Sequence, residues 1–254
     1  MQKQCERRPA ESSQESRSDD RIIRPVRESY DRVADEYALR IFNELQNKPL
    51  DRQLLNRFAA DVEGRGAVCD LGCGPGHVAR YLRGVGAAVF GLDLSPGMLE
   101  QARRLNPDIE FREGIMMALD FPEAALGGIT AFYAIVHFPK ESLPAVFREM
   151  KRVLRPGGLL LLAFHMGDEV LRERELWGRP VSMNFYLFPP AEIRAALESA
   201  GFAIEEVVKR EPYAPEIEYQ SRRAYIFARK PEAPHDEKGR AVAEGKAHRA
   251  QREA

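Results

Sequence analysis

The sequence predicts an α/β sandwich, a mostly parallel sheet covered by helices on both faces. Three observations predict it. Apolar runs of strand length recur at Ala67–Leu71, Ala87–Leu92, Ile129–Ile135 and Leu159–Phe164. Segments with helical spacing separate them. Glycine-rich or Pro-Gly-Gly punctuation stands where one element gives way to the next. A strand buried on both faces loses the polar alternation of a half-exposed one, and helices are what cover it. The 254 residues suit one large domain with appendages. Hydrophobic residues at 44% and charged residues at 30% exclude collagen-like, wholly disordered and transmembrane chains. The longest apolar run, Leu159–Phe164, is far too short to span a bilayer.

The first 24 residues are rich in Ser, Glu, Gln and Arg and are read as a disordered tail, because ordering them would cost entropy with little apolar return. Residues 25–230 form the folded body, and 231–254 a flexible charged tail. In the body, Tyr30, Val33, Ala34, Tyr37 and Ile41 share one helix face, and Leu54, Leu55, Phe58 and Val62 mark a second helix. Then come strand Ala67–Leu71, helix His77–Arg83, strand Ala87–Leu92, helix Pro96–Leu105 and a short strand at Ile109–Arg112. Strand Ile129–Ile135 precedes helix Leu143–Leu154, which should stop at Pro156-Gly157-Gly158. After strand Leu159–Phe164, a helix at Pro190–Ser199 and strands at Phe202–Lys209 and Ala224–Arg229 complete the chain.

With 38 basic and 39 acidic side chains the net charge is -1, so no overall attraction to nucleic acid or anionic membrane is available. Cys5, Cys69 and Cys73 are three in number, which indicates neither a disulfide framework nor a metal site. The two in the body are read as a buried strand residue and a small loop residue. The N-terminus has no apolar run of the kind a secretory or transit peptide carries, so a cytoplasmic protein is expected.

The most informative segment is Val68-Cys69-Asp70-Leu71-Gly72-Cys73-Gly74-Pro75-Gly76-His77, a strand running into a glycine turn and a helix. Its glycines are spaced G-x-G-x-G, one residue tighter than the dinucleotide fingerprint G-x-G-x-x-G, whose glycines admit a pyrophosphate. Asp70 before the turn would repel a phosphate and attract a ligand bearing an ammonium and a sulfonium, such as S-adenosylmethionine. Asp93 closes the second strand, where an acid can accept both ribose hydroxyls. Each acid also has a plainer reading, Asp70 as a cap of the turn and Asp93 as a cap of the helix beginning near Pro96.

At these residues the chain resembles the class I S-adenosylmethionine-dependent methyltransferases, in the small-molecule branch with a type 11 methyltransferase domain. Carrying the resemblance are Asp70-x-Gly72-x-Gly74-x-Gly76, Asp93-Leu94-Ser95-x-x-Met98, Phe111-x-Glu113-Gly114, Tyr133-x-x-x-His137 and the run Arg148-Glu149-x-x-Arg152-Val153-Leu154-Arg155-Pro156-Gly157-Gly158. It implies a Rossmann-like three-layer sandwich with a seven-stranded sheet in the order 3-2-1-4-5-7-6, its last strand antiparallel. It also implies a cofactor lying across the C-terminal ends of the first strands. The implied cofactor set is Tyr30, Tyr37, Asp70, Gly72, Gly74, Gly76, Asp93, Leu94, Met98, Gly114, Ile115, Met116 and Phe132, with the N-terminal helix as a lid and Leu94 and Met98 against the adenine. Met98 is equally well read as plain core. Two departures stand out: Ile115 replaces the acid that reaches the adenine amine, and Leu126-Gly127 replaces the usual Phe-Asp.

His137, just past the fourth strand, is the candidate base, with Tyr133 beside it and His165 a weaker alternative; a lone histidine there can instead shape the pocket. Trp177, Met183, Phe185, Tyr186 and Phe188 lie between the fifth strand and the next helix and are read as a cover for an apolar or aromatic acceptor. The expectation is therefore a methyltransferase that uses S-adenosylmethionine, without a metal, on a small organic acceptor by in-line displacement. Nucleic acid and membrane are not expected partners, and the protein is expected to be a monomer or homodimer. The alternatives are a non-catalytic S-adenosylmethionine-binding or interaction protein, an RNA methyltransferase, and a nicotinamide oxidoreductase.

Overall fold

The structure, a computed structural model, describes residues 12–232. Six α-helices and nine strands alternate along it: α1 Ser12–Ile41, α2 Pro49–Asp61, β1 Val68–Leu71, α3 His77–Gly84, β2 Val89–Asp93, α4 Pro96–Leu105, β3 Phe111–Glu113, β4 Leu126–Phe132, α5 Leu143–Val153, β5 Leu154–His165, β6 Val170–Leu176, β7 Arg179–Tyr186, α6 Pro190–Ser199, β8 Ala203–Arg210 and β9 Arg223–Arg229. Seven strands form one sheet in the order β3-β2-β1-β4-β5-β9-β8, and β6 and β7 form a separate hairpin. With the hairpin set aside, this is the expected order 3-2-1-4-5-7-6. Strands β3, β2, β1, β4 and β5 are parallel, and β9 runs antiparallel between β5 and β8.

Alternate strand residues feed two cores. Cys69, Leu71, Ile129, Leu160 and Ile226 pack with Val146 and Phe147 of α5 and with Ile193 and Leu197 of α6. Val68, Val89, Leu159, Leu161 and Phe227 face Phe58 of α2, Leu82 of α3 and Leu99 of α4. A smaller third core joins Val33 and Ala34 of α1, Met98 of α4 and Val181 and Met183 of β7.

Four local departures have physical reasons. Helix α1 begins at Ser12, so residues 12–24 are helical where a tail is expected; Ile22, Ile23 and Val26 line a cavity with Tyr30, an apolar return the composition argument passed over. Residues 1–11 and 233–254, with the remainder of the expected tails, lie outside the described residues. Strand β4 starts at Leu126 and ends at Phe132, three residues earlier than its apolar run, because Gly127 and Gly128 have no Cβ to strike Arg65 O or the Phe58 ring, at 2.6 and 2.8 Å. The Pro156-Gly157-Gly158 stop lies within β5 as an irregularity, with Gly157 at φ 73°. The hairpin was read only as an apolar cover; its tip is Trp177-Gly178, both left-handed at φ 51° and 77°, the geometry of a tight hairpin turn.

A buried ion cluster ties the start of α2 to the far end of the sheet. Glu218, 2% exposed, pairs with Arg210, with Arg223 at 3.4 Å and with Lys48 at 3.5 Å. Asp51 accepts from the Tyr225 hydroxyl at 3.0 Å and faces Arg210 at 3.3 Å. Burial pushes the Glu218 carboxyl up, but Arg210, the Tyr213 amide, Arg223 and Lys48 bring it down to about 2. Glu218→Ala would leave three buried cations without their shared acceptor, and a loss of about 3–5 kcal/mol is expected in denaturant titration. A carboxyl whose folded value lies below its ordinary 4.5 contributes stability that is complete above that value and lost as the pH falls toward 2. The parent should therefore lose stability across that window more steeply than the variant.

Candidate functional site

A cavity enclosing about 780 Å3, its open mouth included, lies at the C-terminal ends of β1, β2 and β4. Its floor is Gly72 and Gly74 from the turn after β1, Asp93 and Leu94 from the end of β2, and Phe132 and Tyr133 from the end of β4. Gly114, Ile115 and Met116 form one wall, and α1 lies across the top through Ile22, Ile23, Val26, Tyr30 and Tyr37. Among the described residues that line it, Asp93 is the one carboxylate, and there is no Lys or Arg.

The three glycines of the turn are all left-handed, at φ 71°, 52° and 80° for Gly72, Gly74 and Gly76, which an L side chain resists. They differ in what surrounds them. A Cβ on Gly72 would lie 2.6 Å from Ala134 Cβ, and one on Gly76 would lie 2.7 Å from the Phe111 ring, so both are fixed by protein packing. A Cβ on Gly74 would meet nothing nearer than the Tyr37 ring at 3.8 Å. Gly74 is the member of the turn that opens to the cavity, and Gly76 does not line it.

Asp70 departs from its expected role. It is 2% exposed, and its carboxylate accepts from the Ala79 amide in α3 and from the Thr130 hydroxyl in β4, each at 3.0 Å. Asp70 is not among the residues lining the cavity, so its carboxylate is directed at the sheet and the following helix and not at a ligand there; its donors are a helix amide and a strand hydroxyl, not the amides of the turn that the capping reading named. Burial raises its pKa to about 6, with the nearby His77, Thr130 and Ala79 pulling the other way. Asp93 has the cavity-facing position. One of its oxygens accepts from Gly74 N at 2.7 Å and the other from Ser95 N at 2.9 Å. The cap of α4 is Ser95, whose hydroxyl accepts from Met98 N at 3.0 Å and donates to Asp31 of α1 at 2.6 Å. Burial raises the Asp93 pKa, opposed by these backbone donors.

Leu94, Ile115 and Met116 present an apolar slot beside Asp93. Ile115 is 37% exposed, a wall residue and not part of the core. Met98 is 1% exposed in the third core, as its core reading expects, and it is also among the residues that line the cavity.

At the other end of the cavity, His137 closes a short 3-10 turn, Ile135–His137. Its Nδ1 lies 2.9 Å from the carbonyl oxygen of Asn184 in β7, and its Nε2 lies 2.8 Å from the Tyr30 hydroxyl. A carbonyl only accepts, so Nδ1 carries the proton and Nε2 accepts from Tyr30. Burial pulls the His137 pKa down to about 4, slightly offset by the Asn184 contact. Tyr37 lines the cavity with no hydrogen bond from its hydroxyl among the described residues, and burial and the Glu44 and Asp93 charges keep that hydroxyl protonated. Tyr133 contributes its ring to the cavity, but its buried hydroxyl points toward Asp51, Arg223 and Tyr225. The expected Tyr133 and His137 neighbours are thus not brought together as a pair; Tyr30 holds that place. His165 bonds Ser221 Oγ at 2.7 Å, packs its ring at a tilt against Tyr133 with centroids 4.8 Å apart and does not line the cavity.

Sequence reasoning missed Ile22, Ile23, Val26, Ala134, Phe138 and the Asn184 carbonyl. The first three extend the helical spacing of Tyr30, Val33 and Tyr37 backward, so their signal was present. A main-chain carbonyl leaves none.

Residues 68–158 match the family model described as a methyltransferase domain. The chain is 33% identical over 152 residues to a malonyl-[acyl-carrier protein] O-methyltransferase of Enterobacter lignolyticus, covering 60% of this chain and 58% of that one. It is 32% identical over 140 residues to a demethylmenaquinone methyltransferase of Chlorobaculum parvum, covering 52% and 56%. The chain thus spans a little over half the length of these two relatives. Its fold resembles that of an S-adenosylmethionine-dependent methyltransferase of Methanosarcina mazei, with a TM-score of 0.60 at 17% identity over 66% of this chain and 93% of that one. One from Mesorhizobium loti gives 0.53 at 24% identity over 68% and 95%.

Asp70→Ala strands a buried hydroxyl and a helix amide, and a loss of about 1–3 kcal/mol is expected in a thermal melt.

Proposed function

We propose, from the premise that this chain carries a class I S-adenosylmethionine-dependent methyltransferase domain, that it transfers a methyl group to a small organic acceptor in the cavity under α1. The observation that carries the proposal is the pairing of Gly74, left-handed and open to the cavity, with Asp93 beside it. The residues present fit the cofactor. Each Asp93 oxygen accepts one backbone N–H and keeps a lone pair for a ribose hydroxyl. Leu94, Ile115 and Met116 offer an apolar slot for the adenine, whose amine would bond backbone or water at the position where Ile115 replaces an acid. Tyr37 offers a hydroxyl to the cofactor's carboxylate.

The bound cofactor supplies a methyl group already activated as a sulfonium. What remains for the chain is to orient and desolvate. Tyr30, Phe132, Tyr133 and Phe138 surround the remaining space with rings, which suits an apolar or aromatic acceptor. The relatives' names span a malonyl group on a carrier protein and a demethylmenaquinone, so kinship supports methyl transfer without specifying the acceptor.

Calorimetric titration with S-adenosylmethionine, S-adenosylhomocysteine and NAD should give binding of the first two alone; binding of NAD alone would overturn the proposal. Asp93→Ala should weaken S-adenosylmethionine binding about tenfold or more, because ribose hydroxyls lose a charged acceptor. Ile115→Asp tests the adenine placement. Ile115 is exposed, so the variant should melt like the parent and bind about tenfold more tightly through a charge-assisted bond to the amine. Unchanged binding would place the adenine elsewhere.

A further inference from the structure

We propose that the acceptor is a neutral hydroxyl compound, a phenol or enol, whose O–H takes the place now filled by the Tyr30 hydroxyl and gives its proton to His137 Nε2. This rests on the methyl-transfer reading and specifies its substrate class.

The first observation is the direction of the hydrogen bonds. Asn184 O accepts from Nδ1–H, which leaves the Nε2 lone pair directed at the cavity, where Tyr30 donates to it at 2.8 Å. Tyr30 is itself a phenol, held with its hydroxyl protonated by burial and by the Tyr37 and Asp93 charges. The bond between them shows which chemistry Nε2 accepts: a neutral O–H on an aromatic ring, approaching from the cavity side.

Charge supplies the second observation. With no Lys or Arg among the described lining residues and Asp93 the one carboxylate, a carboxylate acceptor would be desolvated with no cationic side chain to hold it and Asp93 to repel it. A lone pair on a neutral imidazole would add repulsion. The Phe185 ring stands 4.7 Å from His137, and Phe138 lines the same end of the cavity, surroundings that favour a ring or an alkenyl body over a charged one.

The third observation is that Tyr30 belongs to the lid while the other contacts of His137 do not. Asn184 O lies on β7 and His137 on the turn after β4, so the base keeps its orientation through the hairpin when Tyr30 withdraws. In the transfer step the acceptor oxygen bonds the methyl carbon as the carbon–sulfur bond breaks with its electron pair left on sulfur, and the acceptor proton passes to Nε2. The products are a neutral ether, a neutral thioether and an imidazolium whose Nδ1–H remains bonded to Asn184 O. Positive charge lost at sulfur reappears at His137, so the step conserves charge within the cavity.

The test uses the full chain labelled with 15N at histidine, with phenol and benzoate as probes. His137 in the parent should show a protonated Nδ1 and an unprotonated Nε2. Phenol should shift the Nε2 resonance, and benzoate should not. Tyr30→Phe removes the competing hydroxyl at nearly constant volume, and phenol should bind about tenfold more tightly to it; His137→Gln should abolish the preference for phenol over benzoate. Benzoate binding better than phenol, weaker phenol binding by Tyr30→Phe, or a protonated Nε2 in the parent would each overturn the proposal. These readouts need no methyl donor, so failure of S-adenosylmethionine to bind would count against the methyl-transfer reading alone.

Discussion

The hydrogen bond from the Gly74 amide to Asp93 is the constraint around which the C-terminal end of the sheet is organised. The turn after β1 leaves the sheet with three residues in the left-handed conformation that glycine adopts most readily. Asp93 holds that turn against the end of β2, while Asp70 holds the helix that follows it against β4. Two carboxylates, one toward the end of each central strand, thus divide the work. Asp70 is buried between the sheet and the helix, and Asp93, half-buried, holds the turn from the wall of the cavity.

From there the lid is placed by polar contacts. Asp31 of α1 accepts from Ser95 Oγ and from Gly97 N at the start of α4, and Gly97 allows the approach because a Cβ would lie 3.0 Å from Asp31 Cα. Ser29 accepts from Ser182 N of β7 at 2.9 Å, and Arg179 pairs with Asp35. The apolar side of this seam is the third core, small beside the two that flank the sheet. The residues of α1 in this small core are separate from the two larger cores that flank the sheet.

Much of this was legible in the sequence, and the limits follow from what sequence patterns encode. The turn after β1 and the helices α4 and α6 could be read because glycines, prolines and apolar runs are local signals, whereas the strand order came from the family resemblance and not from any local pattern. Gly127 and Gly128 misled because strand propensity treats glycine as a breaker, whereas here its missing side chain admits neighbouring backbone. The hairpin was hidden because β6, Val170–Leu176, carries four consecutive charged residues, Arg172 to Glu175, and so has little apolar alternation to show it. Asp70 was placed rightly in the chain but given the wrong direction, since spacing says where a carboxylate is and not which of its neighbours it bonds. The link between Tyr30 and His137 joins residues 107 apart, and no local pattern announces it.

Trp177 at the hairpin tip gives this arrangement an optical consequence. It is the one tryptophan in the chain, packed edge-on to Tyr37 at 5.9 Å and beneath the Arg40 guanidinium at 5.3 Å. Both partners belong to α1, so parting of the lid from the hairpin would strip the indole of an aromatic neighbour and a cation together and leave it in water. Its emission wavelength and intensity therefore report whether α1 and the hairpin are in contact, and a stopped-flow trace of the unmodified protein would time any separation of the two.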